Sequence, residues 1–153
     1  MTRTRLLVVG VPAIIMTGLA LAAPMAHLYE FPHKIALGEE QYFVVQGIYR
    51  GWWMAGLLLP LSFVANAALA AVARRDRSAL LLVLTAAGLI ALNLVIFFWT
   101  QPANAATANW TVRPENWEAL RRSWEYSHAV NAGVTFAAFC AATLAGLRAA
   151  SSI

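Results

Sequence analysis

Four charge-free apolar runs, at residues 6–26, 51–73, 79–100 and 129–147, fill most of this 153-residue chain. Each is about as long as the ~20 residues an α-helix needs to cross a bilayer. In hydrocarbon every backbone polar group must be satisfied within the spanning segment, so a helix is the form such a run takes. The expected fold is all-α: a four-helix transmembrane bundle forming a single integral membrane domain over residues 1–153. Composition agrees, with 61% hydrophobic residues, 12% charged residues and a mean hydropathy of +0.64. Those values exclude an ordinary soluble domain. The connecting segments are too short to fold alone.

Charge sorts by side. Arg3, Arg5, Arg74, Arg75, Arg77 and Arg148 flank the spans on one side, with Asp76 the only acid there. The other side carries Lys34, Arg50, Arg113, Arg121 and Arg122 against Glu30, Glu39, Glu40, Glu115, Glu118 and Glu125. Lys and Arg near span ends mark the cytoplasmic side. Both termini are therefore expected in the cytoplasm and the acidic, histidine-bearing side outside it. The basic cluster is an orientation signal and not a nucleic-acid patch. Residues 1–23 have the basic start and apolar core of a secretory leader. The apolar run is longer than a leader core, so a retained first span is expected. Cys140 is the only cysteine. It excludes a disulfide within the chain, a Cys-x-x-Cys redox pair and a thiolate metal cluster.

Local signals refine the helices. Pro12 and Pro24 should kink the first span. Gly38 can cap a second helix, with Glu39 and Glu40 at its positive end. Tyr42, Gln46, Tyr49, Arg50 and Trp53 recur at helical spacing, so this helix is expected to begin outside the hydrocarbon and run on into the second span. A loop is expected from Gln101 to Arg113. Pro114 and Glu115 suit the first turn of a fourth helix that can continue unbroken over 114–147. Gly133, Ala137, Ala141 and Ala145 form a small-residue stripe on it, the device by which membrane helices approach closely.

The reactive side chains converge on the acidic side. His27-x-x-Glu30 closes the first span and Glu125-x-x-His128 opens the fourth. A three-residue step puts each pair on one helical face. On antiparallel helices the four groups lie at matching depth. His27, Glu30, Glu125 and His128 are thus a candidate ligand set for iron, manganese or zinc. The alternatives are acid–base chemistry with no cofactor, interfacial ion pairing of Glu125 with Arg121 or Arg122, and a haem between the two histidines, for which no attachment motif is present. All six tryptophans gather at this end, where a plain interfacial belt would favour both. Arg50 needs a partner near the hydrocarbon, and Glu30 and Glu125 are the expected ones. Phosphate-loop, dinucleotide, Ser-His-Asp and HExxH motifs are all missing, so nothing in the sequence supports nucleotide-driven transport or proteolysis.

The segment Thr100-Gln101-Pro102-Ala103-Asn104, then Trp110, Pro114 and Leu120-Arg121-Arg122-Ser123-Trp124, resembles the anthrone oxygenase-like family of small four-span membrane proteins. That family has a Thr-x-x-x-Asn element after its third span and a Leu-x-x-x-Trp element leading into its fourth. Residues 27–53 look like the family's bacterial members, which implies a bacterial inner membrane. Fungal members oxidise anthrones to anthraquinones with molecular oxygen and no evident cofactor. Where the fungal pattern places Asn and Arg, four and seven residues beyond the Trp, this chain has His128 and Asn131. The resemblance therefore carries the fold further than the reaction.

Together these readings imply an oxygenase-like oxidoreductase acting on a lipophilic aromatic small molecule at the extracytoplasmic end. His128 is the expected general base, Glu125 its orienting partner and Arg121 the stabiliser of developing negative charge. Arg50, Asn104, Trp110, Trp117, Trp124 and Asn131 are the expected substrate contacts. The alternative is a non-enzymatic module that binds a lipid, a cofactor or a partner protein in the same cavity. Expected partners are membrane lipid and a lipophilic small molecule, with no nucleic acid and with self-association open.

Overall fold

The computed structural model describes residues 3–151, with side chains described over 7–149, so the side chains of Arg3 and Arg5 lie outside it. The elements are α1 (Arg3–Lys34), α2 (Glu39–Gln46), a 3-10 turn (Gly47–Tyr49), α3 (Trp53–Gly56), α4 (Leu58–Ala73), α5 (Arg77–Ala106) and α6 (Trp117–Ser151). Four helical segments are long and apolar enough to cross a membrane: Leu7–Lys34, Trp53–Ala73, Arg77–Ala106 and Trp117–Ala149. The chain is an integral membrane four-helix bundle. α1 packs on α4 and α6, and α5 packs on the same two. One end carries Arg74, Arg75, Arg77 and Arg148 with Asp76; the other carries the glutamates together with Lys34, Arg50, Arg113, Arg121 and Arg122.

α1 runs through Pro12, Pro24 and Pro32 and ends only at Lys34. The Ile35 amide still donates to the Phe31 carbonyl at 3.0 Å. This extra turn beyond Glu30 matters, because it puts Lys34 on the face of His27 and Glu30. The second helix is not continuous as expected. It breaks after Gln46, because Gly47 opens a 3-10 turn and Gly51 adopts φ +88°, a left-handed conformation that favours glycine. Gly38 does precede α2, in extended conformation. The third span also differs, since α5 continues through Pro102 to Ala106. A left-handed turn at Ala108, Asn109 and Trp110 ends it, tied by Asn109 N donating to the Asn104 carbonyl at 2.7 Å and Trp110 N to Thr107 Oγ1 at 3.0 Å. α6 starts three residues later than expected.

Packing differs between the two ends. Toward the arginine-rich end the core is Ala13, Leu69, Ala73, Ala79, Val83, Ala145 and Ala149. Small residues there let helix backbones approach, and a Cβ at Gly146 would come within 2.9 Å of Ile14 Cδ1. Only half of the expected stripe takes part: Ala141 and Ala145 are buried, while Gly133 and Ala137 are exposed. Ala138, Ala142 and Ala149 complete the packed face. At the acidic end the core is aromatic: Tyr42, Phe43, Trp110 and Trp124 around Ala103. Asp76 caps α5 by accepting from Ser78 N and Ala79 N at 3.0 and 3.1 Å.

Candidate functional site

Lys34 is the centre of the acidic end. It is 3% exposed, at the C-terminus of α1. Its Nζ lies 3.1 Å from Glu125 Oε1 and 3.8 Å from Glu30 Oε2, and it donates to Tyr49 Oη at 2.8 Å. The ammonium also lies 4.4 Å from the centroid of the Tyr49 ring and 4.6 Å from that of Trp124. A buried lysine is costly unless paired and hydrogen-bonded, and this one is both. Tyr42 donates to Glu125 Oε1 at 2.9 Å, and Gln46 Nε2 donates to Tyr42 Oη. Tyr49 in turn donates to Glu30 Oε2. A continuous polar network therefore runs from half-buried Glu30 through Tyr49, Lys34 and Glu125 to Tyr42 and Gln46. Burial, reinforced by the Glu125 carboxylate, pushes the Tyr42 phenol above its ordinary value. Burial and the bond to Glu30 do the same for Tyr49.

A groove of about 370 Å³ opens beside this network. Its walls are Tyr29, Glu30, His33 and Lys34 from α1, Leu37 from the link, Val45 from α2 and Ile48 from the 3-10 turn. Its exposed lining is almost wholly apolar, with Glu30 and Lys34 behind one wall and their polar atoms turned largely to each other and to Tyr49 and Glu125, the character of a site for a predominantly apolar molecule.

The two imidazoles do meet. The rings of His27 and His128 stand 4.2 Å apart, tilted by 32°. Tyr49, Trp52 and Trp124 box His27 at 4.5, 5.5 and 4.9 Å. The carboxylates do not join them. Glu125 turns to Lys34 and Tyr42, and Glu30 to Tyr49 and Lys34. The four expected ligands therefore do not form one set, and among the described residues no group of three or more His, Cys, Asp or Glu is placed to hold a metal ion. Opposite charge and phenol donors on the carboxylates account for this, since Lys34 satisfies both. For the same reason Glu125 does not orient His128: among the described residues neither imidazole makes a hydrogen bond, and His27 Nδ1 is buried without a partner.

Arg121 also sits elsewhere than expected. Its Nη1 donates to the Leu37 carbonyl at 2.6 Å and its guanidinium lies 4.6 Å from the centroid of the Trp117 ring. It pins the link after α1 onto α6 and does not pair with Glu125. Arg50 is exposed, and Lys34 takes both of its expected partners. Asn104 does reach the aromatic cluster: its Oδ1 accepts from Trp124 Nε1 at 2.9 Å and Trp110 Nε1 at 3.2 Å. Trp117 packs beside Tyr42 and Phe43 at 6.2 Å from each. Asn131 lies deeper, accepting from Thr135 Oγ1 at 3.0 Å. Sequence reasoning missed Lys34 because the first span was taken to close at Glu30, whereas α1 runs on through Pro32 to Lys34. The spacing of His27, Glu30 and Lys34, three and then four residues, was the available signal.

No protein-family model, curated protein or solved structure matches this chain.

Proposed function

We propose that the protein is an oxygenase-like oxidoreductase of the bacterial inner membrane, acting on a lipophilic aromatic small molecule at the extracytoplasmic end of its bundle. The observation that carries this reading is the double placement of Lys34, on the wall of the groove and inside the Glu125–Tyr42–Tyr49 network. A substrate lays its apolar body on Leu37, Val45 and Ile48. Its acidic O–H or C–H then meets Glu30, which takes the proton, while the Lys34 ammonium stabilises the oxyanion that develops. The deprotonated ring carbon gives its electrons to dioxygen and forms a C–O bond, Glu30 returns the proton to the peroxide oxygen, and loss of water from this hydroperoxide leaves the quinone carbonyl. Glu125 and Tyr42 hold the Lys34 ammonium in place. Metal assistance through His27, Glu30, Glu125 and His128 draws no support from the directions in which the two carboxylates point.

The test is direct. Purified protein in lipid nanodiscs is offered an anthrone and dioxygen, and quinone absorbance and oxygen uptake are followed together. Lys34→Gln and Glu30→Gln should each slow turnover by roughly 10²-fold, the usual scale for losing an acid–base group. Wild-type rates in both variants would end the enzymatic reading.

The aliphatic side chains of Leu37, Val45 and Ile48 on the groove wall support a second reading, a module that holds a lipid, cofactor or partner in the groove without chemistry. In that case ligand binding survives Glu30→Gln, and no variant or wild type shows oxygen uptake.

A further inference from the structure

The groove beside Lys34 begins at the height of an aromatic belt. Two contacts between helices fix common depths. Asn66 of α4 donates to Thr17 Oγ1 of α1 at 2.9 Å, and the His27 and His128 rings meet at 4.2 Å. At 1.5 Å of rise per residue, Tyr29 lies about 18 Å from Thr17 toward the acidic end, and Trp53 about 20 Å from Asn66 in the same direction. Tyr29 and Tyr126 each lie about 3 Å beyond the histidine level. Tyr29, Trp53 and Tyr126 therefore stand at nearly one height on three helices, and they are 73%, 73% and 51% exposed. Exposed Tyr and Trp side chains at one height mark the boundary between hydrocarbon and headgroups. Glu118 stands about 12 Å further out on α6 and is exposed, as a residue in water should be.

The rim of the groove is apolar at this boundary. Tyr29 belongs to its α1 wall, and Ile48, 57% exposed, to the opposite wall. Past Ile48 the exposed apolar surface continues through Trp52, Trp53 and Met54 into the second span. Ring contacts of His27 with Tyr49 at 4.5 Å and with Trp52 at 5.5 Å hold this segment against the end of α1. The break at Gly47 and Gly51 is what lets it lie there. Behind the rim the side chain of Glu30 is 36% exposed, a hydrogen-bond acceptor beside an otherwise mostly apolar surface.

We propose that the groove is loaded sideways from the bilayer leaflet at the acidic end, and that its ligand is a phenol carrying a hydrocarbon chain. This rests on the groove being the substrate site. Such a molecule already lies in the leaflet with its hydroxyl at headgroup height and its chain in the hydrocarbon. The hydroxyl is then level with Glu30, and entry past Tyr29 and Ile48 is a sideways step in which the chain stays against Trp52, Trp53 and lipid. The bilayer supplies the orientation that a water-borne ligand would lose freedom to acquire. An aromatic molecule without a chain has no such pre-alignment.

The test uses the purified full chain on a Cys140→Ala background in lipid nanodiscs. A bimane probe is attached at Ile48→Cys on the rim, or at Glu118→Cys as the water-side reference. Phosphatidylcholine brominated on its acyl chains should quench the rim probe strongly and the reference weakly, and iodide in the buffer should do the reverse. In a second measurement a dodecylphenol with a diazirine on its ring is photolysed with the Cys140→Ala protein. It should label residues 29–37 and 45–48, and unlabelled dodecylphenol should compete about tenfold better than phenol at equal mole fraction in the lipid. Iodide quenching as strong on the rim as at the reference overturns the sideways route. Equal competition by phenol overturns the chain-bearing ligand and leaves the groove as the site. Absence of saturable labelling by the diazirine compound, with phenol also failing to protect the rim probe from iodide, ends both this proposal and the enzymatic reading that places the substrate in the groove.

Discussion

Lys34 Nζ and Glu125 Oε1 stand 3.1 Å apart, joining the last residue of α1 to α6 in a site where both side chains are almost fully buried. Removing one partner leaves the other charge buried and unpaired. Lys34→Met or Glu125→Leu should therefore destabilise the bundle by about 3–5 kcal/mol, and the double variant by less than either single one. Thermal unfolding of the three variants in one detergent measures this. Additive losses in the double variant would mean that the pair is not coupled.

The phenols around this pair impose a pH limit. Burial holds the folded-state pKa of Tyr42 above its ordinary value of 10.0, and Tyr49 is shifted the same way. Above pH ~10 the unfolded chain ionises these groups while the folded chain keeps them protonated, so the unfolded state binds fewer protons and stability falls as pH rises. The stabilisation is fully present below pH ~10 and is lost on going upward from there. Tyr42→Phe should flatten the decline between about pH 10 and 11.5, at the cost of about 1–3 kcal/mol at neutral pH from a Glu125 left with one donor fewer. Melting temperature against pH for wild type and variant is the measurement; parallel curves would contradict it.

Asn104 fastens two indoles with one oxygen, which bonds Trp124 on α6 and Trp110 in the turn after α5. Asn104→Leu leaves two buried N–H groups without acceptors. It should cost about 1–3 kcal/mol for each donor left unpaired and shift tryptophan fluorescence as the left-handed turn at Ala108, Asn109 and Trp110 loosens. Asn104→Asp keeps an acceptor and should retain the wild-type emission. An unchanged spectrum in Asn104→Leu would assign the turn to backbone bonds alone.

How much of this was legible depended on the kind of signal. The four spans follow from run length, because hydrocarbon thickness fixes helix length and needs no partner to be known. The meeting of His27 and His128 followed from depth on antiparallel helices. The partners of Glu30 and Glu125 did not, because they depend on whether a helix survives Pro32. It does, and one added turn delivers a cation, Lys34, to which both carboxylates turn. The break at Gly47 and Gly51 was equally hidden, since the helical spacing of Tyr42, Gln46 and Tyr49 persists across it. Arg121 was assigned by proximity in sequence to Glu125, whereas its length lets it reach the Leu37 carbonyl on another segment.

Orientation in the membrane is open to a last prediction. Arg74, Arg75, Arg77 and Arg148 are exposed around the arginine-rich end, and α1 begins there too. At the other end Glu39, Glu40, Glu115 and Glu118 are exposed, while Lys34 and Arg121 are buried and bound. With Lys34 and Arg121 buried and bound, the exposed cations at that end are Arg50, Arg113 and Arg122, scattered among the exposed glutamates, whereas Arg74, Arg75 and Arg77 are clustered at the other, so the arginine-rich end should be cytoplasmic. Single cysteines on a Cys140→Ala background test this in intact cells. Arg75→Cys is preferred to a change at Asp76, because Asp76 caps α5 and its loss would disturb the helix start. Glu115→Cys should label with a membrane-impermeant maleimide before lysis, and Arg75→Cys only after it. The opposite pattern would invert the protein, put the groove in the cytoplasm, and with it the side from which a substrate reaches Lys34.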